Sequence, residues 1–282
     1  MVVLWVLNKS DLPTFMQNMN GITVLNLPVA SWALPCNVSS NSTWNGRHMF
    51  DIGYYIMGRW RLTFAFEFAK SLGFKYVMQF DDDAFLNQPM SYNLSERMSQ
   101  ESKKHAVIGR HPGKEFKFDI DGLPEFTKNW IDQHNYKLQG ELLKHIVPSE
   151  LSALSSANWD REYYPGYFLI FSLDFWYQSD VQDYLQAILL SNNDIQKRWQ
   201  EQGVMNMIRL VFLKQEEVLH LDDIDVQHGR HPKLFQAICA AYPQSFAGLA
   251  QNELTVSMLS KLIKDGPIDI IKGIGFLTSH QF

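Results

Sequence analysis

Three consecutive carboxylates, Asp81, Asp82 and Asp83, follow the apolar run 74–80 without a break. Adjacent anions repel one another, so the cluster needs a compensating charge, and a hard divalent cation bound through oxygen supplies it. In an extended segment residues two apart share a face. Asp81 and Asp83 therefore point together, while Asp82 turns toward a ribose hydroxyl or a backbone amide. Open α/β sheets hold their ligands at the carboxyl ends of strands, which is where this triplet falls. By itself the triplet names no reaction: it suits a phosphohydrolase or polymerase as well, and a solvated acidic turn is its plain structural alternative.

Other residues carry weaker signals of the same kind. Glu201 is a carboxylate near a predicted helix start, where it can serve as a base or simply meet the helix dipole. Arg59 and Arg61 lie near Tyr54 on the helix that enters the Asp strand. They suit a diphosphate or ribose, or, for Arg61 especially, a solvated helix face. Arg110, His111, Trp159, Tyr163 and Tyr164 are candidates for lining an acceptor cleft, and equally for ordinary packing. Asn8, Lys9 and Ser10 end the first predicted strand and are candidate contacts for a base or ribose.

The elements that must position these groups alternate in type. Apolar β-forming runs at 2–7 and 22–27 flank a short helical segment at 11–19, and 28–46 reads as an irregular loop rich in Ser, Asn and Pro. Bulky residues recur at helical spacing over 54–72, and Gly73 offers a C-cap. After the strand 74–80, the stretch 91–160 is more polar, with helices at 123–134 and 138–146 and a strand-like segment at 106–109. Strands at 167–173 and 218–221 and helices at 181–190 and 203–212 complete the pattern, followed by a mostly helical tail beyond His228. Alternating strands and helices predict an α/β fold with a mostly parallel central sheet flanked by helices.

Bulk properties exclude several classes. With 46% hydrophobic and 20% charged residues among 282, the chain can bury one large core. Its net charge of −5, without a basic stripe, argues against nucleic acid and anionic membrane surfaces. Cys36 and Cys239 are the two cysteines, too few for a disulfide framework, and read as thiols in a reducing compartment. The N-terminus reads as a strand rather than a signal peptide, and no stretch approaches membrane-spanning length. The expectation is a soluble, cytoplasmic protein with no membrane span, in which sequons at Asn8, Asn37, Asn41 and Asn93 are incidental.

Several blocks resemble glycosyltransferase family 15, the fungal α-1,2-mannosyltransferases, and its algal and viral relatives. Ser172-Leu-Asp-Phe-Trp176 is similar to the family's Asp-Leu-Asp-Phe-Phe, and Lys197-Arg-Trp-Gln-Glu201 to its Glu-Arg-Trp-Gly-Asp. Asp223-Ile-Asp-Val-Gln-His228 is similar to Asp-Ile-Gly-Tyr-Gln-His. Upstream, Tyr54-Tyr-Ile-Met-Gly-Arg59-Trp60 resembles Tyr-Arg-His-Met-Cys-Arg-Phe, and the Asp triplet falls where fungal members carry Val-Glu-Pro and algal members carry acidic triplets. The blocks span about two thirds of the chain in order.

The resemblance implies a single GT-A (Rossmann-like) nucleotide-diphospho-sugar transferase domain over 1–282. Residues 1–90 would form a nucleotide-sugar-binding half ending in the triplet, 91–231 an acceptor and catalytic half, and 232–282 a helical tail. It also implies a Mn2+ (or Mg2+) ion held by Asp83 or Asp81 with His228, a nucleotide-sugar donor and an oligosaccharide or glycoprotein acceptor. For a viral relative the setting would be the host cytoplasm. Two departures bear on the chemistry. The family's proposed nucleophile, a Glu, falls on Leu169, which cannot attack an anomeric carbon. Glu201 retains a carboxylate at the family's Asp. Together these favour an inverting enzyme with Glu201 as base and a UDP-sugar donor. The alternatives are a retaining GDP-mannose enzyme working by front-face attack, and a catalytically degenerate sugar-binding relative.

Overall fold

The computed structural model describes residues 2–6, 22–26, 33–36, 38, 52–81, 84–88, 90–108 and 112–228. The segment 11–19, most of the loop 28–46, Asn8, Lys9, Ser10, Asp82, Asp83, Arg110, His111 and the tail beyond His228 lie outside them. Strands β1 (Val2–Val6) and β2 (Ile22–Asn26) are followed by helices α1 (Ile52–Leu62) and α2 (Phe64–Ser71). Next come β3 (Tyr76–Phe80), β4 (Ala84–Leu86), α3 (Leu94–Gln100), β5 (His105–Ile108), β6 (Gly113–Lys114) and α4 (Leu123–His134). The order continues with β7 (Glu162–Tyr163), β8 (Phe168–Ser172), α5 (Leu173–Trp176), α6 (Ser179–Ser191) and α7 (Asn193–Gln196). Helix α8 (Glu201–Phe212), β9 (Val218–Leu221) and β10 (Val226–His228) are the last among the described residues. Among the described residues no helix is long and apolar enough to cross a membrane.

Two compact units are present. One combines Trp32–Phe80 with Met90–Ile224 and contains a four-stranded sheet in the order β3-β8-β5-β9. Its core joins Leu62 and Phe66 to Val107, Leu169, Phe171, Trp176, Tyr184 and the apolar residues of α8. Phe66 stacks on Trp176 with ring centroids 4.0 Å apart, fixing α2 against the residues that follow β8. The other unit comprises Met1–Ser31, Asp81–Pro89 and Asp225–Gln281. It holds the parallel pair β1–β2 and the antiparallel ribbon β4–β10.

The α/β class agrees with the sequence, but the helix expected over 138–146 is only a 3-10 turn at Leu142–His145, and the strand directions require a correction. β8 runs antiparallel to both β3 and β5, and only β5 and β9 are parallel, so this sheet is mixed rather than mostly parallel. Every residue of β8 is buried. A strand covered on both faces reads as a continuous apolar run whichever way it points.

The helix expected over 54–72 is two helices. Thr63 leaves helical geometry at φ −122° and ψ −83°, and its Oγ1 donates to the Arg59 carbonyl at 2.8 Å. A hydroxyl bonded back to residue i−4 competes with the helix ladder and bends it. The stop at Gly73 is as expected: at φ +74° it donates to the Lys70 carbonyl, a backbone state that glycine adopts without steric cost.

Candidate functional site

Strand β3 ends at Phe80, and Asp81 is the next residue. The Ala84 N–H donates back to the Asp81 carbonyl at 3.0 Å, and β4 then pairs with β10 so that His228 lies opposite Ala84. This pairing brings together two residues about 150 positions apart in sequence: His228 Nε2 is 3.5 Å from Asp81 Oδ2. The imidazole is 42% exposed and the carboxylate 20%, so both reach solvent from a fixed base. Two ligands at adjacent corners of an octahedral ion, each at roughly 2.1 Å, stand about 3 Å apart. The observed spacing needs only a small adjustment to hold such an ion. The carboxylate suits Mn2+, and the imidazole beside it admits first-row divalent ions more generally.

The Lys197–Glu201 block lies in the other unit, and all of it but Lys197 is buried. Glu201 is 5% exposed at the start of α8, and its Oε1 accepts from Arg61 Nη1 at 3.0 Å. A Cβ built on Gly58 would lie 3.0 Å from Glu201 Oε2, so α1 crosses the carboxylate at a residue with no side chain. As placed, Glu201 ties α8 to α1. Arg61 is correspondingly an ion-pair partner rather than part of a solvated face. Arg198 bridges Asp119 at 3.2 Å, and its guanidinium lies 5.9 Å from the Tyr54 ring, 5.8 Å from Tyr55 and 5.5 Å from Phe118. Tyr54 thus takes part in packing around a buried cation.

Arg59, expected at a diphosphate or ribose, has its guanidinium directed elsewhere. Nε and Nη2 donate to the two Asp194 oxygens, each at 2.7 Å, and Nη2 also reaches the Leu189 carbonyl and Asn192 Oδ1. The fork is a bidentate tie from α1 to the α6–α7 junction. Of the acceptor-cleft candidates, Trp159 is buried in the core and Tyr164 packs beneath Arg209, 4.9 Å from its guanidinium carbon. Tyr163 covers Gly113, where an added Cβ would come within 2.7 Å of the ring. Leu169 is 3% exposed in the middle of the sheet, opposite Gln79 on β3 and Val107 on β5.

One titratable group was not legible in the sequence. Glu115 is 2% exposed, and burial, reinforced by the neighbouring Asp119 and Glu201 carboxylates, pushes its carboxyl up to about 7. Hydrogen bonds from the Phe116 N–H and Gln202 Nε2 oppose the shift. Between about pH 4.5 and pH 7 the folded chain keeps a proton that the unfolded chain has released. The stabilisation is complete below pH 4.5 and is lost progressively up to pH 7, by about 3 kcal/mol in total at roughly 1.4 kcal/mol per unit. Urea unfolding of Glu115→Gln should lack this decline and exceed wild-type stability at pH 8. A parallel decline in the two proteins would assign it to another group.

No protein-family model and no curated protein matches the chain. Among solved structures it is similar to core-mannan synthase A (CmsA/Ktr4) from Aspergillus fumigatus in its Mn/GDP form. The TM-score is 0.64 at 15% identity, over 73% of this chain and 59% of that one. It is also similar to the mannosyltransferase Ktr4p from S. cerevisiae. The structure in complex with GDP gives a TM-score of 0.63 at 14% identity, and a second Ktr4p structure gives 0.64 at 15%. Both Ktr4p matches cover 73% of this chain and 55% of Ktr4p. The chain therefore has the α/β GT-A fold of these mannosyltransferases. It spans less than two thirds of their length.

Proposed function

We propose that the chain is a metal-dependent glycosyltransferase that moves a sugar from a nucleotide-diphospho-sugar to a glycan acceptor. The observation that carries this reading is the approach of His228 Nε2 to Asp81 Oδ2, 3.5 Å, at the end of β3. The shared fold adds weight, since one similar structure is in a Mn/GDP form and another holds GDP. Asp81 and His228 would hold the cation, with Asp83 the third expected ligand and Asp82 an expected donor contact. When bound, the ion would neutralise charge on the departing nucleoside diphosphate.

The choice between mechanisms follows from two side chains. Leu169 is aliphatic and buried, so no protein nucleophile acts from that position. A base must reach the acceptor hydroxyl, and Glu201 is instead enclosed and bound to Arg61. These placements favour front-face displacement with retention over an inverting reaction driven by Glu201. GDP-mannose then takes precedence over a UDP-sugar as donor, in keeping with the mannosyltransferase relatives. Asn8 and Tyr54 are kept as candidate donor contacts.

Incubation with a panel of GDP- and UDP-sugars and Mn2+ tests the reading. Release of GDP from GDP-mannose, lost on chelation, is the expected result, and anomeric NMR of the product should show retention. Release of UDP alone with inversion would restore the inverting assignment. No release from any donor would favour a sugar-binding protein without turnover.

A further inference from the structure

Beyond the last pair of the β4–β10 ribbon stands one more rung, made by Asn87 and Asp225. The Asn87 N–H donates to the Asp225 carbonyl at 3.0 Å, and Asn87 Nδ2 donates to Asp225 Oδ2 at 2.9 Å. The ribbon itself pairs Leu86 with Val226, Phe85 with Gln227 and Ala84 with His228. A two-stranded ribbon this short is marginal on its own. A slip of one residue would move a side chain about 3.3 Å along the strand and turn it to the opposite face. For His228 that slip means departure from Asp81. Backbone hydrogen bonds repeat along a strand and do not choose a register, whereas a donor side chain facing an acceptor side chain does.

We propose that Asn87 and Asp225 are a register clamp: positioning residues that keep His228 within reach of Asp81 and thereby set the affinity for a divalent cation. The proposal rests on the cation reading given above and adds residues that the sequence did not mark. Asp225 stands where the resembling family motif has Gly, so the acceptor half of the clamp belongs to this chain rather than to the motif.

The test is a titration of the full chain with Mn2+ alone, following loss of the free-ion EPR signal, which requires no turnover. Asn87→Ala should raise the Mn2+ dissociation constant about threefold to tenfold, the range of one net hydrogen bond, with an unchanged circular dichroism spectrum. The exchange Asn87→Asp with Asp225→Asn keeps the pair and its net charge while reversing donor and acceptor. It should return the affinity to within about twofold of wild type, as expected for residues coupled to each other. Wild-type affinity in Asn87→Ala, or an exchange variant as weak as Asn87→Ala, overturns the clamp and leaves the cation site standing. A wild-type chain that does not bind Mn2+ overturns the cation site and the clamp together.

Discussion

Asp81→Ala and His228→Ala should each lower Mn2+-dependent release of the nucleoside diphosphate by about a hundredfold or more. A divalent ion contributes several kcal/mol to stabilising charge on a leaving phosphate, and each ~1.4 kcal/mol lost is tenfold in rate. Neither side chain is buried: the imidazole is 42% exposed and the carboxylate 20%. Unfolding free energy should accordingly stay within about 0.5 kcal/mol of wild type, as for other surface substitutions. Asp81→Asn separates charge from size, keeping the shape and the hydrogen-bonding oxygen while removing the anion. It should behave like Asp81→Ala in turnover, and raising Mn2+ should recover part of the loss in each variant. Equal losses of stability and turnover, insensitive to Mn2+, would instead make the pair an ordinary ion pair.

The second large effect is on stability. Asp194→Ala should lower the unfolding free energy by about 3–5 kcal/mol, the cost of removing one partner of a buried ion pair. The Asp194 side chain is 2% exposed and that of Arg59 19%, so the orphaned guanidinium cannot turn freely to water. Arg59→Lys should be nearly as damaging although the charge is kept, because an ammonium cannot reproduce the fork onto two carboxylate oxygens. Chemical denaturation monitored by Trp fluorescence measures both. A donor-contact role for Arg59 predicts the opposite pattern: unaltered stability in Asp194→Ala, and a raised donor KM in Arg59→Ala alone.

Much of the scaffold could be read from side-chain patterns. The helix at 123–134 and the strand at 218–221 coincide with α4 and β9: Gly122 and Asn135 bound the first, and the second is an apolar run between pairs of acidic residues. The Asp triplet was visible for a similar reason: three like charges after an apolar strand are conspicuous wherever they occur. What the pattern omits is partnership. Arg59, Arg61 and Glu201 were marked as polar residues on helix starts and faces, yet their partners lie 130 to 140 positions away. Residue type alone does not tell a ligand-facing guanidinium from one engaged within the fold. Direction is equally silent, since β8 is apolar throughout and would look the same if parallel.

The ribbon that joins Asp81 to His228 was the hardest feature to foresee. Ala84–Leu86 and Val226–His228 are three residues each, too short to display a period, and 142 positions separate their central residues Phe85 and Gln227, so no single turn links them. The resemblance to the fungal family pointed to His228 without saying what would carry it there. Glu115 was missed for another reason. Flanked by Lys114, Phe116 and Lys117, it looks like a surface carboxylate, and its burial depends on distant partners, Gln202 of α8 on its side chain and Arg161 on its backbone.

The most direct test is location of the ion. Diffraction from crystals grown with Mn2+ and GDP, collected at the manganese absorption edge, should give one anomalous peak within bonding distance of both the Asp81 carboxylate and His228 Nε2. A peak bound elsewhere, or ordered GDP with no peak between these two side chains, would contradict the account.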